Sequence, residues 1–202
     1  MSACTTGLAL LLCAGALGAA VQGPFPAPAR KEAERLSQKV VSIRAHAQQT
    51  DSARRVLRTV LTESEVNAYL FWDPDDALPA GITEPRLELA GEGRVSARAV
   101  VDLTAIRTQR ERGWLDPLAY VGGRVPVTAS GVIRARDGLA TLDLTGATVA
   151  GVSVPKSVLQ ELVSYYTRSP QFPEGVDLDA PFPLPASIRE VRVGKGEATV
   201  IQ

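Results

Sequence analysis

Apolar and polar residues alternate with a two-residue period along much of this chain, and the longest such run lies between Arg124 and Arg136. There Val125, Val127, Ala129, Gly131, Ile133 and Ala135 alternate with Arg124, Thr128, Ser130, Arg134 and Arg136, as in a strand with one buried face. Asp137-Gly138 supplies the two left-handed positions of a tight hairpin turn. On the return arm Leu142 and Leu144 share one face and Thr141, Asp143 and Thr145 the other. At Gly146 the alternation falters, because Ala147 and Val149 are apolar on the wrong side, which predicts a bulge that bends the strand. Two more hairpins follow from the same pattern. Arg86 to Ala90 pairs with Arg94 to Leu103 around Gly91-Glu92-Gly93, and Ile188 to Val193 pairs with Glu197 to Ile201 around Gly194-Lys195-Gly196.

The period changes after Pro155, which suits a first helical turn because its missing N–H is not needed there. Val158, Leu159, Leu162, Val163 and Tyr166 then make one apolar stripe, with Lys156, Ser157, Gln160, Glu161, Ser164 and Thr167 opposite. A second helix is expected from Leu61 to Leu70. Thr62 and Glu65 have the spacing of a capping box, and Leu61 and Val66 that of a hydrophobic staple. A third, over Arg30 to Gln49, is rich in helix formers but has only Leu36, Val40, Val41 and Ile43 as apolar points, so it packs along part of its length. Together these predict an α+β fold in which a long curved antiparallel sheet wraps the helix from Pro155 to Tyr166, with an additional short N-terminal helix. The small inward residues Ala97, Ala99, Ala129, Gly131 and Ala135 leave room for the close approach of a helix or for a ligand.

The leader divides the chain. Residues 1–20 carry no charge, centre on the apolar run Leu8 to Leu12 and end in small residues, as a secretory signal cleaved after Ala20 does. Residues 21–29 read as a proline-rich linker and 30–202 as a single domain. Both cysteines, Cys4 and Cys13, lie in the leader, so the mature domain is expected to be extracytoplasmic and free of thiol chemistry. Lipidation at Cys13 is the weaker alternative, because Leu12 is not the small residue that such a signal carries before its cysteine. Basic and acidic residues both number 22 and aromatics make up 5%, which argues against a nucleic-acid partner.

Candidate chemistry is sparse. His46 is the sole histidine. Gly151-Val152-Ser153-Val154-Pro155 lacks the second glycine of a nucleophile elbow, so no catalytic residue is expected. Asp73, Asp75 and Asp76 alternate as calcium ligands do, but the glycine and distal glutamate of a calcium loop are absent; no metal or cofactor is expected. Asn67 is read as a local hydrogen-bonding group. Trp114, Leu115 and Leu118, beside the basic run Arg107 to Arg112, are candidates for membrane contact, against the plainer reading that they cap the open end of the core.

The order of these elements, from LTESEVNAYL through GVSVPKSVLQELV to PFPLPASIREVRVGKGEATV, resembles the tubular lipid-binding superfamily, and most nearly its LmeA-like phospholipid-binding proteins of the bacterial envelope. The resemblance covers about Val56 to Ile201. It implies a curved sheet around a long helix with an apolar groove for a phospholipid or other amphiphile. The expected lining is Val127, Ala129, Ile133, Leu142 and Leu144 from the sheet and Val158, Leu159, Leu162 and Tyr166 from the helix. The alternative is an assembly protein whose groove is filled by its own helix.

Overall fold

The structure is a computed structural model that describes residues 27–49, 55–72, 78, 81–108, 123–167, 173–175 and 177–202, with the side chains of 106–108, 162, 166 and 167 left out. Its architecture is α+β, with a large open antiparallel sheet of nine strands and four helices among the described residues. In chain order these are α1 (Arg30–Ala47), β1 (Arg58–Thr62), α2 (Glu63–Trp72), β2 (Ile82–Gly91), β3 (Arg94–Asp102), α3 (Leu103–Thr108), β4 (Arg124–Arg136) and β5 (Leu139–Val149). Then come β6 (Val152–Ser153), α4 (Lys156–Thr167), β7 (Phe182–Pro183), β8 (Glu190–Val193) and β9 (Glu197–Ile201).

The sheet is reached through β4. One of its edges carries β5, to which β6 and β7 are added at opposite ends. Its other edge is longer than β3, whose pairing ends at Arg94↔Val132, and β8 takes over at Ala135↔Val191. Two branches therefore leave the same edge, β3-β2 and β8-β9-β1. They meet at Gly93. Its amide donates to Val193 at 3.2 Å and its carbonyl accepts from Ile133 at 2.8 Å, and an added Cβ would lie 2.7 Å from the Ile133 carbonyl oxygen.

The expected hairpins are present, and Asp137-Gly138 holds the left-handed pair at φ 53° and 79°. The bulge is present as well. Pairing slips between Ser130 and Gly131, which face Gly146 and Leu144 respectively, so Thr145 is the extra residue. Its hydroxyl donates to the Ser130 carbonyl at 3.1 Å. That one-residue slip returns Ala147 and Val149 to the face of Leu142 and Leu144.

Two features were not expected. Ala150-Gly151 makes another tight turn at φ 52° and 79°, folding β6 back onto the end of β5 before the chain enters α4. Asp102 starts the short α3, its Oδ1 accepting from the Thr104 and Ala105 amides at 2.9 and 3.0 Å, where the sequence shows only a break in rhythm.

Helices α1 and α2 form an antiparallel pair. The capping box is made as expected, with the Thr62 amide donating to Glu65 Oε2 at 3.0 Å and the Glu65 amide donating to Thr62 Oγ1 at 3.3 Å. Lys39 of α1 donates to both Glu65 oxygens at 2.8 and 2.6 Å and to the Val60 carbonyl at 2.7 Å, joining α1, β1 and α2 at one point. At the other end the Trp72 indole donates to the Pro28 carbonyl at 3.0 Å, and the Arg30 guanidinium lies 5.6 Å from the ring centre. Of the sparse apolar points of α1, Leu36 and Ile43 are buried and Val41 is exposed, so the helix packs along one narrow stripe.

Burial raises the Glu65 carboxyl, but the Lys39 hydrogen bonds, the Thr62 amide and the Lys39 charge together outweigh it and hold the group below its ordinary 4.5. The contribution to stability is therefore complete above that value and is lost as pH falls through the lower folded one. Glu65→Gln should cost roughly 1.5–3 kcal/mol at neutral pH. The gap should close as urea unfolding is repeated at progressively lower pH; a constant gap would contradict the pairing. Gly131→Val should cost about 1–3 kcal/mol in the same measurement. A Cβ there meets the Asp143 carbonyl oxygen at 2.7 Å and Leu142 Cδ1 at 3.0 Å, so the β4-β5 backbone would have to part.

Candidate functional site: the apolar face of the sheet

Strand register decides which side chains share a face, because residues directly opposite point the same way. Leu87, Ala97, Ala129 and Ala147 form one row across β2, β3, β4 and β5. Leu89, Val95, Gly131 and Leu144 form the row above it, and Ala99, Val127, Val149 and Val152 the row below. Ile133 faces Leu142, and Ala135 lies between Ala140 and Val191. The five sheet residues expected to line a groove, Val127, Ala129, Ile133, Leu142 and Leu144, therefore lie on one continuous apolar face. All five are half-buried; Gly131, Leu89, Ala135, Ala140, Ala147 and Val200 beside them are buried, and Ala97 is exposed. The middle row is short-chained, with alanine at three of its four positions, so the face is troughed where a bulky row would fill it.

At the fork, an open cleft of about 720 Å³ belongs to the opposite face, where Val132, Arg134, Arg136, Leu139, Glu190 and Arg192 point, and only the strand positions between them, Ile133, Ala135 and Val191, are shared with the apolar face.

Helix α4 begins one residue after Pro155, whose carbonyl accepts from Leu159 at 3.2 Å, and packs on β5. Val158 is 44% exposed, and Leu159 is half-buried. The side chains of Leu162 and Tyr166 lie outside the described residues, as do Trp114, Leu115 and Leu118 and the carboxylates Asp73, Asp75 and Asp76. Ser157 and Glu161 on the polar side of α4 are exposed, but Lys156 and Gln160 have partners. Lys156 pairs with Asp179, and Gln160 Oε1 accepts from the Leu178 amide at 2.8 Å, so the segment after the helix folds back along it.

The polar residues of the sequence have structural places. Asn67 is no local group: its amide nitrogen donates to the Leu87 carbonyl at 2.8 Å and its oxygen accepts from the Leu87 amide at 2.7 Å. One turn earlier Glu63 Oε2 accepts from the Leu89 amide at 2.8 Å. Four residues of helix rise about 6 Å and two residues of strand about 6.6 Å, so Glu63 and Asn67 meet alternate residues of β2 in step. Sequence spacing places both residues on one helical face but does not name the strand they meet. His46 lies in α1, within the helix expected over Arg30 to Gln49, and is buried; neither its Nε2 nor Gln202 Oε1 has a hydrogen-bond partner among the described residues. Ser153 is exposed on β6. Among the described residues no cluster of His, Cys, Asp or Glu could hold a metal ion, and no helix is long and apolar enough to cross a membrane.

No family model, no curated protein and no solved structure matches the chain.

Asn67→Ala would strip both hydrogen bonds from the Leu87 peptide. An unfolding free energy lower by about 2–4 kcal/mol is expected, at roughly 1–3 kcal/mol for each orphaned group. A change under about 0.5 kcal/mol would mean that water replaces the amide and that the α2-β2 contact carries no load.

Proposed function

We propose that this protein is a non-enzymatic, extracytoplasmic binding protein of the cell envelope. It holds a phospholipid or another amphiphile by apolar contact between the sheet face of Val127, Ala129, Ile133, Leu142 and Leu144 and the α4 stripe of Val158, Leu159, Leu162 and Tyr166. The observation that carries this reading is the sheet face itself: a continuous apolar surface with an alanine trough that runs from exposed Ala97 through half-buried Ala129 to buried Ala147. Burying apolar area yields roughly 25 cal/mol per Å², so an acyl chain laid along the trough gains with each methylene. In the proposed bound state the bent β4-β5 ribbon curves around α4. The charge-free leader supports export to the compartment where such a carrier works.

Native mass spectrometry and solvent extraction of the protein purified from cells should recover a bound lipid, and a fluorescent acyl probe should be taken up. Ala129→Phe should reduce probe uptake by about ten-fold, as a filled trough excludes the chain, while far-UV circular dichroism remains that of the parent. Recovery of no lipid together with no uptake would leave the assembly protein with a self-filled groove as the standing reading.

A further inference from the structure

The opposite face of the sheet, at the end formed by the β4-β5 turn, has a different chemistry. Six arginines converge there from three distant stretches: Arg55 and Arg58, Arg134 and Arg136, and Arg189 and Arg192. Three carboxylates stand among them. Glu190 is bound by both arms of Arg192 at 2.7 and 3.0 Å, Asp143 lies 3.9 Å from Arg134, and Asp137 occupies the turn. The side chains of Arg55, Arg58, Arg136 and Arg189 make no ion pair among the described residues. The Arg192 hydrogen bonds, against an opposing effect of burial, and then the charges of Arg136 and Arg58 hold the Glu190 carboxyl below its ordinary value, a sign of how closely the cations crowd it.

Exposed apolar side chains stand among these charges. Leu139, directly across from Arg136, is 50% exposed; Val60, in the row of Arg192, is 42% exposed; Val56, on the cleft it shares with Arg136 and Arg189, is 63% exposed. Unneutralised arginines crowded against one another cost repulsion that folding alone does not require. Aliphatic residues between them suit a partner that is anionic at its surface and apolar just beneath. A nucleic acid would call for stacking rings, and the side chains interleaved here are valine and leucine.

We infer that the β4-β5 turn end of the sheet, through Arg55, Arg58, Arg136 and Arg189 with Val56 and Leu139 between them, docks on the surface of an anionic lipid bilayer. The guanidiniums meet lipid phosphates and the aliphatic groups enter the boundary between headgroups and acyl chains. This surface is separate from the apolar trough and does not require that the trough hold a ligand.

Co-sedimentation of the full chain with vesicles tests it, the readout being the ratio of binding to phosphatidylcholine containing one quarter phosphatidylglycerol over binding to phosphatidylcholine alone. The anionic vesicles should be preferred at low salt, and the preference should vanish at about 0.5 M salt, where screening is nearly complete over a few ångströms. Arg136→Glu with Arg189→Glu should lower the ratio by at least about ten-fold, since each basic residue at an anionic leaflet is worth roughly a five-fold change. Arg44→Glu on the exposed side of α1 should leave it unchanged. Should the double reversal fail to fold by circular dichroism, Arg136→Gln with Arg189→Gln, and separately Leu139→Ser, should lower the ratio in the same direction. Equal binding to both vesicles, an undiminished ratio in the folded variants, or an equal loss in Arg44→Glu would each overturn the inference. Ala129→Phe separates the two readings: it should lower acyl-probe uptake and leave the vesicle ratio intact.

Discussion

Peptide groups removed from water have to find partners, and here that requirement falls on one strand. β4 is thirteen residues long, and no single neighbour satisfies its β3-side edge from end to end. The chain meets the shortfall by bringing a second branch, β8-β9-β1, against the part of β4 that β3 does not reach. The junction is narrow. Gly93 bonds to both Val193 and Ile133, and a side chain there would strike the Ile133 carbonyl. The relative placement of the two branches, and of the helix pair resting on β1 and β2, follows from β4 and from this junction, where the Ala90–Lys195 bridge and the Gly196 amide on the Leu89 carbonyl stand beside Gly93.

The two faces of the sheet then diverge in chemistry because strands alternate. Along β4 the same thirteen residues present Val127, Ala129, Ile133 and Ala135 to one side and Arg134 and Arg136 to the other. The bulge at Thr145 keeps the apolar set together across β5, since without the extra residue Ala147 and Val149 would turn to the arginine side. Apolar trough and basic end are thus opposite consequences of one register.

Much of this was legible before any coordinates. The alternation of β3 and β4, the Asp137-Gly138 turn, the slip near Gly146 and the Thr62–Glu65 box are local patterns whose physics acts over a few residues, and each is present where the sequence places it. What was illegible depends on tertiary neighbours. The Ala150-Gly151 turn was hidden because alanine seldom occupies a left-handed position. The role of Asn67 was read as local because the edge it satisfies lies twenty residues away. The six arginines come from three separate stretches of chain, so sequence shows them as scattered charges; only the fork brings them to one end. The stripe on α4 was legible as amphipathic, and Val158 on it is exposed, so the periodicity marks a face without naming what covers it.

The way α2 lies on β2 bears on self-association. A sheet with bare outer strands invites another copy to pair with it, and the outward peptide groups of Leu87 and Leu89 are of that kind. Asn67 occupies both groups of Leu87 and Glu63 the Leu89 amide, while the Leu89 carbonyl accepts from the Gly196 amide at 2.8 Å, so a strand from a second molecule finds no free partner there. On the far side, β6 and β7 cover the two ends of β5, and the stretch between them is kinked by its extra residue. A flat template for strand addition is therefore withheld at β2 and β5, and at β1, the end of the other branch, the Lys39 ammonium already takes the Val60 carbonyl.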